Sequence, residues 1–436
     1  MIRLFGAAAF AAALVAATFA AAETLVPAAP EEVGLSGERL ARIGAVLRRD
    51  IDAGKIPGAV VAIARRGRLA YFDSFGARDP ATGAAMPKDA IFRIYSMTKP
   101  LVSVAAMMLV EQGEVQLADP VAKFLPAFAD MQVSVVETDR FGKVTNTLVP
   151  AARPMTVQDL LRHTSGLVYG QLTGNAPVRE AYQEAGVYSP EDRGLAIYRD
   201  LAPEDEVARL AKAPLAHHPG TVWEYSLATD VLGRVVEAAS GMRLADFLHE
   251  RLFVPLGMAD TGFWVPADKQ ARIADPFATD PATGVPNQLL DPTVVPANDS
   301  GGAGGVSTAG DYLRFAQMLL DGGALDGTRI LSRTTVALMA SDHLGPDVDT
   351  PLGPGQLLLG SPGYTFGLGF SVRTGAGIAT VPGSAGEFMW AGYAGTYFWI
   401  DPGEQLVGVM MTQAPGPSRA SYRRLIKQLT YQAIVD

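Results

Sequence analysis

Residues 92–100 read Phe92-Arg93-Ile94-Tyr95-Ser96-Met97-Thr98-Lys99-Pro100, and the mostly apolar run from 96 to 112 has the length and composition of a helix ending near Gly113. Ser-x-x-Lys places a hydroxyl and an amine one helical turn apart on the same face. With Ser96 in the first turn, its side chain lies in the positive field of the helix N-terminus. A serine hydroxyl is a poor nucleophile until a neighbouring base takes its proton. An amine withdrawn from water can serve as that base. The tetrad alone is weak, because chance supplies about one Ser-x-x-Lys per several hundred residues. A serine N-cap followed by a solvated lysine would be spelled the same way.

On the N-terminal side, Ser36 can cap a helix over 36–54, with Leu40, Ile43, Val46, Leu47 and Ile51 at helical spacing. Two β-like runs, 59–64 and 69–75, meet at Arg65-Arg66-Gly67-Arg68 and predict a hairpin. On the C-terminal side, 156–162, 203–212, 228–240 and 244–253 read as helices, and 133–149 as a hairpin turning at Arg140-Phe141-Gly142-Lys143. A Gly-rich turn at 298–305 precedes a helix over 309–320, and 344–363 reads as loop. Residues 366–373, 386–390, 396–400 and 406–412 are β-like again. A last helix over 418–434 carries Tyr422, Leu425, Leu429 and Ile434 on one side. The pattern predicts an α/β (α+β) fold: one antiparallel sheet built from both ends of the chain, flanked by the first and last helices, with an inserted mostly helical lobe. The lobes divide as about 30–115 with 290–436, and about 116–289, within a single domain over 23–436. The cleft between such lobes is where ligands bind.

Composition narrows the function. The chain has 436 residues, 48% hydrophobic and 19% charged, which suits a globular protein with a sizeable core. It has no cysteine, which excludes disulfides, a thiol nucleophile and thiolate metal sites. A net charge of -9 argues against nucleic acid as a partner. Arg3, an apolar stretch over 4–19 and Ala20-Ala21-Ala22 read as a signal peptide over 1–22, which predicts export to the periplasm or medium. No later stretch offers about 18 consecutive apolar residues, so no span is expected after signal removal. His-Glu-x-x-His and a Gly-Lys-Ser/Thr phosphate loop are absent, so no metal and no cofactor is expected. Gly-x-Ser-x-Gly is absent too, which argues against a nucleophile elbow. Of the five histidines, His163 reads as a structural hydrogen-bonding residue, and His217-His218 could line the mouth of a cleft.

The segment around Ser96 resembles the nucleophile segment of the class C β-lactamase and penicillin-binding-protein superfamily. Three further runs resemble segments of that superfamily in the right order: Thr156-Val157-Gln158-Asp159-Leu160-Leu161-Arg162-His163-Thr164-Ser165-Gly166-Leu167, then Pro219-Gly220-Thr221-Val222-Trp223-Glu224-Tyr225-Ser226, then Gly301–305 with Ser307-Thr308-Ala309. The resemblance runs from about residue 30 to the end. It implies that Tyr225 lies near Ser96 and Lys99 and relays protons. Which of Lys99 and Tyr225 is the base stays open at this point.

Two departures bear on substrate. The superfamily's Lys-Thr-Gly strand has no counterpart; the aligned run is Trp390-Ala391-Gly392, followed by Tyr393, and looks like the family VIII carboxylesterases. That resemblance implies an oxyanion hole from the backbone N–H groups of Ser96 and Tyr393, with Trp390, Ala391 and Gly392 beside the substrate. Where lactamases carry Tyr-x-Asn, this chain has Tyr225-Ser226-Leu227, and Leu227 cannot hydrogen-bond an amide. Losing two polar handles favours a small apolar ester over a β-lactam. The alternatives are a β-lactamase or D-amino-acid peptidase, and a penicillin-binding sensor that acylates and stops. Oligomeric state is not legible.

Overall fold

The computed structural model describes residues 25–187, 189 and 200–436. The predicted signal peptide therefore lies outside the described residues. Among the described residues, no helix is long and apolar enough to cross a membrane.

The sheet has eight antiparallel strands drawn from both ends of the chain. From the N-terminal side come β1 (Gly58–Arg65), β2 (Arg68–Asp79) and β3 (Ala84–Ala85). From the C-terminal side come β4 (Tyr364–Phe366), β5 (Ser371–Arg373), β6 (Phe388–Ala391), β7 (Tyr397–Asp401) and β8 (Leu406–Thr412). Their spatial order is β4-β5-β6-β7-β8-β1-β2-β3. The two halves of the chain join where β8 pairs with β1, Ala59 opposite Thr412 and Arg65 opposite Leu406. Every residue of β1, β7 and β8 is buried. Strands covered on both faces read as continuous apolar runs rather than as alternation, which is how 59–64 and 406–412 are written.

Helix α1 (Gly37–Asp52) starts on Ser36, whose side chain accepts from Arg39 N–H, and packs on the C-terminal helix, Arg419–Tyr431. The helix Ala309–Leu320 packs on β1, β7 and β8. The antiparallel sheet with flanking terminal helices is the fold class expected from the sequence. The hairpin Gln132–Thr138 with Val144–Pro150 and the helix Ala228–Ser240 also form where expected.

Three local expectations are corrected. The stretch 354–359, read as loop, is a helix with Pro354 at its start and left-handed Gly360 at its end. The run 366–373 is two short strands separated by a turn. The C-terminal helix buries Tyr422, Arg423, Ile426, Lys427 and Thr430, whereas Leu425 and Leu429 are only partly buried. Its inward face follows a polar network: Lys427 pairs with Glu387, both fully buried, and Tyr364 and Tyr431 also donate to Glu387.

Candidate active site

Ser96 sits in a single 3-10 turn, Tyr95–Met97, immediately before helix α2 (Thr98–Glu111). It caps nothing, since the N-cap position of α2 is Met97 and no side chain accepts there. Tyr95, the residue before it, has φ +44°. A bulky residue in the left-handed region costs on the order of 1–3 kcal/mol and persists only where its surroundings hold it. Here the Tyr95 hydroxyl accepts from Leu290 N–H at 2.8 Å, and the Tyr393 ring stands edge-on to it at 5.5 Å. The Thr98 hydroxyl donates to the Tyr95 carbonyl at 2.6 Å and accepts from Gly305 N–H at 2.9 Å. These bonds hold the Ser96 turn against the glycine-rich loop.

Three groups predicted from sequence meet at this turn. The Tyr225 hydroxyl donates to Ser96 Oγ at 2.6 Å. Lys99 Nζ lies 4.7 Å from the centre of the Tyr225 ring and donates to the Gly302 carbonyl at 2.7 Å. Ser96 is 6% exposed and Lys99 is 1% exposed. Lys99 also donates to the Tyr169 hydroxyl at 3.0 Å, a buried partner that sequence reading missed. Tyr169 follows the Thr164-Ser165-Gly166-Leu167 run closely, but nothing in its own spelling sets it apart from a core aromatic.

Trp390, at the end of β6, is buried and packs against the Tyr225 ring at 5.4 Å. Ala391 ends β6 and is buried beside it. Gly392 follows, and there a Cβ would collide with the Ile94 carbonyl oxygen and the Thr396 hydroxyl. Only glycine lets this strand end approach the backbone two residues before Ser96 so closely. Tyr393 comes next, partly buried, with its ring against Tyr95 and under Arg419. Leu227 does not join this group; it is the N-cap residue of α3 (Ala228–Ser240) and is packed in the core.

His163 is buried, and its Nδ1 is 3.1 Å from the Ser226 hydroxyl oxygen. Its ring stands edge-on to Tyr225 at 5.1 Å. Burial, aided by the Lys99 charge, holds the imidazole well below its ordinary range, so the ring is neutral at neutral pH and buttresses Tyr225. His217 bonds Glu224 at 2.6 Å, and His218 accepts from Ala152 N–H at 3.1 Å.

A second polar network, also missed in the sequence, holds the loop that carries Gly302. Asp230, in the first turn of α3, accepts from the Ser300 hydroxyl at 2.6 Å and from Gly302 N–H at 3.0 Å. One turn on, Arg234 donates to Asn298 at 2.6 Å and to the Asp299 carbonyl at 2.8 Å. Asn298 in turn donates to Glu206 at 2.8 Å. The available signal was position: Asp230 and Arg234 are four residues apart, hence on one face of α3. From the other side of the site, Arg423 of the C-terminal helix donates to the Gly392 carbonyl at 2.6 Å.

Burial, with the nearby Asp230 charge, pushes the Glu206 carboxyl up to about 7. A carboxyl raised above its unfolded value stabilises the fold below that unfolded value. The benefit is lost as pH rises through the folded one. Glu206→Gln should therefore gain on the wild type between pH 4 and pH 8, by roughly 2–3 kcal/mol. Urea denaturation of both proteins at the two pH values measures it, and a pH-independent difference would refute the assignment.

Among the described residues, no cluster of His, Asp and Glu is arranged to hold a metal ion. The geometry is that of a serine hydroxyl in contact with a phenol, with a buried ammonium behind the phenol ring. Such a constellation can form and break an acyl–oxygen bond.

The Beta-lactamase family model matches residues 43–431. The chain is 38% identical to an uncharacterized protein of Mycobacterium tuberculosis, covering 85% of this chain and 88% of that one. It is 32% identical to Esterase EstB of Burkholderia gladioli, covering 85% and 90% respectively. The solved structure of EstCE1, a hydrolase with promiscuous acyltransferase activity, superposes with a TM-score of 0.71 at 28% identity, covering 90% of this chain and 99% of that one. The ordered motifs, the sheet and these relatives converge: the chain belongs to the beta-lactamase family and is a serine hydrolase.

Proposed function

We propose that this hydrolase is a carboxylesterase that cleaves small neutral esters through an acyl-enzyme on Ser96. The observation that carries the reading is the 2.6 Å hydrogen bond between the Tyr225 hydroxyl and Ser96 Oγ, with Lys99 Nζ over the Tyr225 ring. Tyr225, as phenolate, takes the Ser96 proton while Oγ attacks the ester carbonyl. The Lys99 ammonium, held by Gly302 and Tyr169, stabilises the negative charge on the phenol. Backbone N–H groups of Ser96 and Tyr393 receive the oxyanion. Collapse of the tetrahedral intermediate expels the alkoxide, which takes the proton from Tyr225. Water then enters by the reverse sequence and releases the acid.

The substrate class rests on what surrounds Ser96. Trp390, packed on the Tyr225 ring, stands where a lactam-binding site would present a lysine, and Leu227, buried in the core, brings no amide to the site. An apolar ester suits these walls better than a carboxylated amide. The similarity to Esterase EstB supports the same choice. Transfer of the acyl group to an alcohol in place of water is the second reading, favoured by the likeness to EstCE1.

A paired assay tests the ranking. We expect kcat/KM for p-nitrophenyl butyrate to exceed that for nitrocefin by at least about 10²-fold. The opposite ratio would make the protein a β-lactamase or peptidase. An intact-mass adduct that persists without release would make it a sensor.

A further inference from the structure

Beside the glycine-rich loop, the structure forms a half-open cavity of about 340 Å³. Its apolar lining includes Ile91, Ala245, Phe253, Phe263, Trp264 and Val265. This is more than twice the volume, ~150 Å³, of an engineered cavity that stays dry and takes benzene. The helix wall is unusual: after the α-helical turn Leu244–Leu248, the chain widens into a π-helical turn, His249–Phe253, and both ends of that turn face the cavity. π turns persist at a cost in backbone regularity and recur at functional sites.

The inner polar groups of the lining, Thr261, Asp260 and Lys269, are already paired. The Thr261 hydroxyl bonds Ser307 at 2.8 Å and Asp311 at 2.9 Å. Asp260 pairs with Arg272 at 2.6 Å and Lys269 at 2.8 Å. What the rim offers a ligand is the exposed carboxylate of Asp246 and, one turn later, exposed His249. The opposite wall is shared with the candidate active site. Gly262 N–H donates to the Val306 carbonyl at 3.1 Å, and Val306 N–H returns a bond at 2.8 Å. The Phe263 ring lies against Gly304, where a Cβ would come within 3.0 Å of it. Two residues earlier is Gly302, the acceptor of Lys99.

We infer that this cavity is a ligand site distinct from the ester cleft. It takes a one- or two-ring aromatic molecule that is neutral or carries an amine. Three aromatic walls and the apolar floor select the ring system. Two cations stand nearby, but Lys269 is paired with Asp260 and Arg243 with Asp299, so the exposed Asp246 carboxylate at the rim favours an ammonium and opposes a carboxylate.

Calorimetric titration of the full chain with indole, tryptamine and indole-3-acetate tests this. Indole and tryptamine should bind one site per chain with Kd of about 0.1–1 mM, the range open to a well-buried ligand of about nine to twelve non-hydrogen atoms. Indole-3-acetate should bind at least about tenfold more weakly. Ala245→Leu, which fills the cavity, should weaken both binders at least about tenfold. Asp246→Asn, at an exposed position that leaves the core intact, should weaken tryptamine about threefold or more and leave indole unchanged. Failure of indole to saturate, binding that Ala245→Leu leaves intact in the folded variant, tryptamine affinity indifferent to Asp246→Asn, or tightest binding by indole-3-acetate would each overturn the inference.

Discussion

Ser96→Ala is expected to lower kcat/KM for p-nitrophenyl butyrate by about 10⁴- to 10⁶-fold, the loss seen when a nucleophile is removed from a constellation that acts as a unit. The size follows from the geometry. Tyr225 contacts Ser96 directly, and Lys99 stands behind the Tyr225 ring rather than bonding Ser96, so both act through Oγ. Without Oγ, Tyr225 and Lys99 have no proton to relay. The fold itself has little at stake: one hydrogen bond at a nearly buried position is worth about 1 kcal/mol. A stopped-time assay with intact-mass detection reads both halves. The wild type should show an acyl adduct and turnover, and the folded variant neither. A variant that keeps wild-type turnover would place the nucleophile elsewhere.

Lys427→Met is expected to destabilise the protein by about 3–5 kcal/mol. The substitution removes one member of a fully buried pair and leaves Glu387 facing its acceptor-rich neighbour Asp401. The Tyr431 hydroxyl lies 2.5 Å from Asp401 and 3.2 Å from Glu387, its single proton shared between the two carboxylates. Lys427 is the cation in direct contact with Glu387, and Arg373 acts on that carboxylate more weakly. The double variant Lys427→Met/Glu387→Gln removes both charges and keeps an acceptor for Tyr364, so it should recover more than half of the loss. Denaturant midpoints of the two variants check this. If the double variant were no more stable than the single one, packing rather than charge would account for the effect.

The sequence declared its chemistry more openly than its supports. Ser96, Lys99 and Tyr225 stand within ordered runs that resemble those of one family, and the structure brings all three together. The sheet was legible because strands buried on both faces must be apolar throughout. The buried face of the C-terminal helix was not. Tyr422, Leu425, Leu429 and Ile434 mark an amphipathic stripe, yet Arg423 and Lys427 turn inward because Gly392 and Glu387 offer them partners. Periodicity scores a lysine as solvent-facing and carries no information about a carboxylate forty residues away. Asp230 and Tyr169 escaped for the same reason: their role is a contact with a loop or a lysine distant in sequence. The helix at 354–359 did carry its signals, Pro at the start and Gly at the end, but the Pro/Gly content of the surrounding loop outweighed them.

The pairing of β8 with β1 also sets a clock. The first hairpin, complete by Asp79, has one long edge whose hydrogen-bond partner is Leu406–Thr412. A ribosome must add roughly 350 residues between β1 and β8, which takes ~20–70 s at ordinary elongation rates. Throughout that interval β1 presents an unpaired apolar edge, the kind of surface that recruits other nascent chains. The Gly392 carbonyl gains its partner later still, since Arg423 is made after β8, although its own wait is short. Synthesis of this hydrolase is therefore exposed to a chaperone or an aggregate for roughly three quarters of its duration, and a stop codon that removes only the last helix would leave the strand end beside Ser96 without its clamp.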